Sequence, residues 1–190
     1  PLYIGYESIT PDVDGNWTLI FNLLPVRDAD WNVYEYSLRE RVISGYATDI
    51  TGDATNGFEL TNSKKGSLIV VKDVIPELSP TAFNFTSDPA IDGSDAFVLI
   101  DNGGSENQKT FALSPGQEYV FTEEELAGWS LEDIVCELEP TQPEPVFAEG
   151  ENFWEVDLEA RVLRISLGIN QYATCTFINK EVFTLSKNRL

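Results

Sequence analysis

A chain of 190 residues that is 42% hydrophobic, with 7 Tyr, 11 Phe and 4 Trp, can fill one large or two small cores, which excludes intrinsic disorder. Its 32 acidic against 12 basic residues give a formal net charge of −20, a field that repels phosphate backbones and anionic head groups, so neither nucleic acid nor a membrane surface is an expected partner. With no His and no Met, Ser-His-Asp and Cys-His catalysis and His-ligated zinc or haem are unavailable, and no cofactor, metal or turnover chemistry is expected.

In chain order, short runs rich in Val, Ile, Thr, Tyr and Phe predict strands at 17–22 (WTLIFN), 34–39 (YEYSLR), 58–61 (FELT), 67–72 (SLIVVK), 96–100 (AFVLI) and 118–122 (EYVFT). Further strands are predicted at 129–135 (WSLEDIV), 154–158 (WEVDL), 162–167 (VLRISL) and 174–178 (TCTFI), and a brief helix at 122–127 (TEEELA). Strands at this spacing, with Gly, Pro, Asn and Asp between them, predict β-sandwiches. No apolar run approaches the roughly 18 residues that cross a bilayer. The chain opens at Pro1 without a signal-peptide pattern, so a mature or excised piece is expected. Cys136 and Cys175 make an even pair in a chain of extracellular character, and a single disulfide is the expectation, with two buried free thiols the alternative.

A weak internal repeat sets the organisation. One copy runs Leu24-Pro25, Tyr34 to Glu40, Gly45-Tyr46, Phe58 to Asn62; the other runs Leu113 to Gly116, Tyr119 to Glu123, Gly128-Trp129, Cys175 to Asn179. The boundary falls at 63–66 (SKKG). The order YEYSLRE, GY and GFELTN resembles the latter part of a Cna B-type domain. The second copy, from SLIVVK through EYVFTE and GW to TCTFIN, is similar to a whole prealbumin-like repeat with a Cys pair. The resemblance implies an all-β chain of two tandem Ig-like, prealbumin-like β-sandwich domains. The first, 1–65, lacks its N-terminal strand; the second, 66–180, is complete; and 181–190 is an orphan strand, donated to the next subunit or beginning the next domain.

The resemblance also implies self-locking by an isopeptide bond between a Lys on the first strand and an Asn on the last, assisted by a buried acid. Carried over by position, these are Lys72, Asn179 and Glu123 as proton shuttle. Strand parity supports two of them: Glu123 shares a face with Phe121 and Tyr119, and Asn179 with Phe177 and Cys175. Lys72 shares a face with Val70 and Leu68, but Ile69 and Val71 make both faces of that strand apolar and leave its direction open. In the first copy Glu40 and Asn62 match without a preceding lysine. Lys187, within the strand-like 182–187 (VFTLSK), is the candidate to reach Asn62 of a neighbouring subunit beside Glu40.

The function implied is a structural subunit of a secreted bacterial surface fibre or pilus, a head-to-tail homopolymer joined by donor strands. The alternative is an adhesin module from a longer tandem array, with Trp31, Trp129 or Trp154 as a platform for a glycan or host protein. Acidic loops at 12–16, 88–95 and 101–107 lack EF-hand spacing and are expected to be solvated turns.

Overall fold

Apolar side chains at every second position turn an extended chain into a two-faced strand, because successive side chains leave on opposite sides. The strand Gly66–Ile75 shows this plainly: Leu68, Val70, Lys72 and Val74 are buried, and the residues between them are half-buried. The computed structural model describes residues 5, 7–139 and 153–182. Among them the chain is all-β apart from one 3-10 turn, Ser105–Asn107. The strands are β1 (Tyr46–Asp53), β2 (Gly57–Lys64), β3 (Gly66–Ile75), β4 (Ala82–Ile91), β5 (Ser94–Ile100), β6 (Gln108–Leu113), β7 (Glu118–Glu123), β8 (Trp129–Leu138), β9 (Trp154–Asp157), β10 (Val162–Ser166) and β11 (Tyr172–Glu181).

The chain divides into two compact units, Pro1–Leu38 with Gly52–Phe58, and Arg39–Thr51 with Glu59–Leu190. In the first, two loops share one plan. Asp12 Oδ1 accepts the backbone N–H of Asp14 and Asn16, and Asp28 Oδ1 accepts those of Asp30 and Asn32. These bonds favour the charged carboxylates and hold both aspartates below the usual carboxylate range, led by the Asn16 backbone N–H at Asp12 and the Asn32 side chain at Asp28.

The strands predicted at 17–22 and 34–39 do not form. Trp17, Ile20 and Phe21 are exposed, and among the described residues no neighbouring strand takes up the backbone groups of that segment. In 34–39 the alternation survives without the ladder. Tyr34, Tyr36 and Leu38 are half-buried between exposed residues, and the Tyr36 hydroxyl donates to the Pro25 carbonyl at 2.6 Å. The helix predicted at 122–127 is absent too: Thr122 and Glu123 finish β7, and 124–126 run as irregular chain into the turn before Trp129. There the inward parity of Phe121 and Glu123 outweighs the helix propensity of a run of glutamates. Strands β1, β4 and β6 are additions, since their polar residues hide the apolar period.

Two sheets enclose the core of the second unit, ordered β5-β4-β7-β10-β9 and β6-β3-β11-β8. Every pairing within them is antiparallel except β3 with β11, the first and last strands, which run parallel. Between the sheets Phe85 stacks on Phe97 at 5.1 Å and meets Phe177 edge-on at 5.2 Å, while Phe97 meets Phe111 at 4.9 Å. Such ring geometries add to plain area burial. A register shift between β8 and β11 at Ile178/Asn179 leaves Glu132 without an opposite number, so Leu131 and Ile134 both face the core although three positions apart. The first residue of β3 must be glycine: a Cβ on Gly66 would sit 2.9 Å from that of Leu167.

Cys136 and Cys175 face each other across β8 and β11 and are joined as a disulfide, 39 residues apart, with Cα atoms at 4.1 Å. Loop closure over that separation is worth roughly 3–4 kcal/mol. The double variant Cys136→Ser, Cys175→Ser is expected to lose about that much stability, read as a lower urea midpoint with a somewhat larger m-value, since the released unfolded chain exposes more surface. An unshifted midpoint would show that the unfolded chain gains nothing from release of the staple.

Candidate functional site, a buried lysine, amide and acid

Three polar side chains lie in the middle of the apolar core: Lys72 and Asn179 are fully buried and Glu123 is 1% exposed. Each reaches it by the alternation of its own strand. Lys72 follows Leu68 and Val70 on β3, Asn179 follows Cys175 and Phe177 on β11, and Glu123 follows Tyr119 and Phe121 on β7 of the facing sheet. The open question about the direction of Lys72 is answered inward. Parallel pairing sets Lys72 opposite Phe177 and Val74 opposite Asn179, so the lysine stem bridges one inward-facing step to reach the amide.

Lys72 Nζ donates to Asn179 Oδ1 at 2.9 Å, to the Phe177 carbonyl at 2.7 Å and to the Asp73 carbonyl at 2.9 Å. An ammonium has three protons to give, and all three are engaged. The amide of Asn179 donates through Nδ2 to Glu123 Oε2 at 3.0 Å. The other carboxylate oxygen, Oε1, has no hydrogen-bond partner among the described residues and lies 3.6 Å from Lys72 Nζ. The ammonium also sits 4.5 Å from the centre of the Phe83 ring. Burial pushes Lys72 from 10.5 down to about 8, against the opposing attraction of Glu123, so a free amine becomes accessible near neutral pH. A nucleophile, an acyl carbon and a vacant proton acceptor thus meet in a site that excludes water, the ingredients of covalent chemistry within the chain.

Two contributors carry no sequence signal of the kind used above. Arg161, from the turn joining β9 to β10, donates through Nη2 to Glu123 Oε2, and the backbone N–H of Glu123 donates to the Arg161 carbonyl at 3.1 Å. Phe83, on a strand not predicted, lies under the ammonium. Neither is near Glu123 or Lys72 in sequence, and only the pairing of β7 with β10 and the facing of the sheets brings them in.

The first-copy residues also meet. Asn62 Nδ2 donates to Glu40 Oε1 at 2.8 Å, and the Thr48 hydroxyl lies 2.7 Å from both Glu40 Oε2 and Asn62 Oδ1. This acid–amide pair is open, with Asn62 and Thr48 exposed and Glu40 half-buried. Lys187, like the rest of 183–190, lies outside the described residues. Of the three tryptophans considered as a platform, Trp129 and Trp154 pack against the core, and Trp31 is exposed. The acidic loop at 12–16 spends the Asp12 carboxylate on its own backbone and Asn16. Carboxylate oxygens of Asp73, Glu77 and Asp101 come within 4.8 Å of one another, and Asp101 Oδ2 accepts the Val74 N–H.

No curated protein matches the chain in sequence. Among solved structures, a major pilin protein from Streptococcus pyogenes is similar at 13% identity and a TM-score of 0.42, over 80% of this chain and 70% of that one. The major pilin from Streptococcus pyogenes in a further structure is 14% identical, with a TM-score of 0.34, over 92% of this chain and 90% of that one. The C-terminal fragment of the pilus adhesin SpaC from Lactobacillus rhamnosus GG is 20% identical, with a TM-score of 0.33, over 91% of this chain and 68% of that one. A family model for the Cna protein B-type domain matches residues 5–63, and one for the prealbumin-like fold domain matches 68–181. Such domains are structural modules, not catalysts. The second match spans more than half of the chain, and the protein belongs to the prealbumin-like fold domain family.

Proposed function

We propose that this chain is a load-bearing segment of an extracellular bacterial surface fibre, and that its second domain locks itself once through an amide bond between Lys72 Nζ and Asn179 Cγ. The observation that carries the reading is the vacant Glu123 Oε1 beside a fully engaged buried ammonium. The bond forms from the ammonium and the carboxamide and releases ammonium. Glu123 Oε1 takes a proton from Nζ, the freed amine bonds to Cγ, and Glu123 passes that proton to Nδ2 as the Cγ–Nδ2 bond breaks; a second Nζ proton follows by the same carboxylate, so the amide is left neutral and Nδ2 departs as ammonium. One cation leaves the core, which removes the surplus charge of a site holding Lys72, Arg161 and a single carboxylate.

The mechanical consequence follows from the parallel pairing. Tension entering along β3 and leaving along β11 passes through Lys72 and Asn179, so the 107-residue separation between them is spared the load. The same cross-link removes loop entropy from the unfolded chain worth about 4.7 kcal/mol for a loop of roughly 100 residues. In the first domain, the exposed acid–amide pair of Glu40 and Asn62 favours a donated lysine strand from a second copy, with Lys187 the sequence candidate, giving a head-to-tail homopolymer. The adhesin reading has only the exposed Trp31 among the three tryptophans considered.

Intact mass under non-reducing conditions is the direct check. The wild-type chain is expected about 17 Da light for one ammonia, and lighter by two hydrogens for the disulfide. Glu123→Gln, which lacks the vacant carboxylate oxygen, is expected to retain the ammonia; a full-mass wild-type chain removes the bond from the account. In chain assembled from synthetic segments in denaturant and refolded by dilution, the rate of ammonia loss is expected to be flat below about pH 8 and to fall above it, where the pair has lost the proton that Glu123 passes to Nδ2. A rate that keeps rising above about pH 8 contradicts the relay of a Lys72 proton through Glu123. Polymerisation has its own readout: a ladder of multiples on a denaturing gel, abolished by Asn62→Ala, is expected, and a strictly monomeric chain at high concentration rules out the donated strand.

A further inference from the structure

Arg161 is placed at some cost. It ends the turn between β9 and β10 with φ of 61°, the left-handed conformation that such turns normally give to glycine. Its Nε is buried without a hydrogen-bond partner. Both features weigh against folding, and both are borne by a residue whose guanidinium contacts Glu123.

We infer that Arg161 is a positioning residue for the Lys72–Asn179 bond, holding Glu123 by Oε2 so that Oε1 stays vacant and turned to Lys72. The inference rests on the reading of the site given above. Glu123 has four lone-pair directions, and Oε2 takes the guanidinium and the Asn179 amide together. That double hold fixes the carboxylate plane and leaves Oε1 for Lys72 at 3.6 Å.

The groups that face Lys72 are Glu123 from β7, Asp73 on its own strand, Asp101 after β5 and the Phe83 ring of β4. Arg161 meets the same carboxylate at Oε2, away from the oxygen that faces the lysine.

The test compares wild type, Arg161→Gln and Arg161→Lys, each assembled from synthetic segments in denaturant, refolded, and followed by mass across about pH 6 to 10, with tryptophan fluorescence reporting folding. Arg161→Gln is expected to lose ammonia about 10-fold more slowly near pH 7, and Arg161→Lys, which keeps a cation for Oε2, to restore the rate. A Gln variant that folds and keeps the wild-type rate overturns the inference while leaving the bond intact. Equal slowing at every pH without rescue by Lys also overturns it, because that is the mark of a turn residue. A wild-type chain that never sheds ammonia sinks the bond and this inference together.

A second variant covers a Gln variant that folds poorly. Arg161→Gly suits the left-handed turn while removing the guanidinium, and is expected to fold and to lose ammonia as slowly as the Gln variant. A Gly variant that keeps the wild-type rate overturns the inference.

Discussion

Everything in the second domain depends on the parallel pairing of β3 with β11. It joins the first and last strands of the sandwich at the centre of one sheet, and so closes a loop made of the whole intervening chain. Parallel strands cannot be linked by a tight turn, and here the connection is the rest of the domain. The pairing also fixes the offset that sets Lys72 one inward step from Asn179. A slip by one residue would turn one of them to the outer face.

The core into which these residues are folded is poorly suited to them as charges. Lys72 is satisfied only by using all three protons on carbonyl oxygens, and Glu123 keeps one oxygen without a bond. A buried ion pair is a weak source of stability, because desolvation offsets the attraction. The arrangement is best understood as a poised state whose burial weakens the lysine's hold on its proton, with the acid close enough to receive it.

The first unit presents the contrasting case. Its apolar side chains at 17–21 are exposed and its two aspartate-centred loops are locally complete; within the second unit, the Glu40, Thr48 and Asn62 cluster repeats the acid and amide of the buried site in the open. Local hydrogen bonds can build a turn without neighbours, whereas a strand cannot be built without a second backbone to pair with. That is why the turns of this region are ordered while its predicted strands at 17–22 and 34–39 are not strands.

The amino-acid order by itself determined what period-2 patterning and residue chemistry can carry: the all-β class, the inward parity of Glu123 and Asn179, and the availability of Cys136 and Cys175 as a pair. It did not reveal β1, β4 or β6, where polar residues mask the period, and it misjudged 122–127, where helix propensity was outweighed by the burial of Phe121 and Glu123. Only the tertiary structure decided which way Lys72 points, since Ile69 and Val71 make its strand apolar on both faces and burial against the second sheet breaks the tie. Only the tertiary structure, too, brought Arg161 and Phe83 to the site, because their partners lie on other strands and sheet pairing at long sequence separation leaves no local trace.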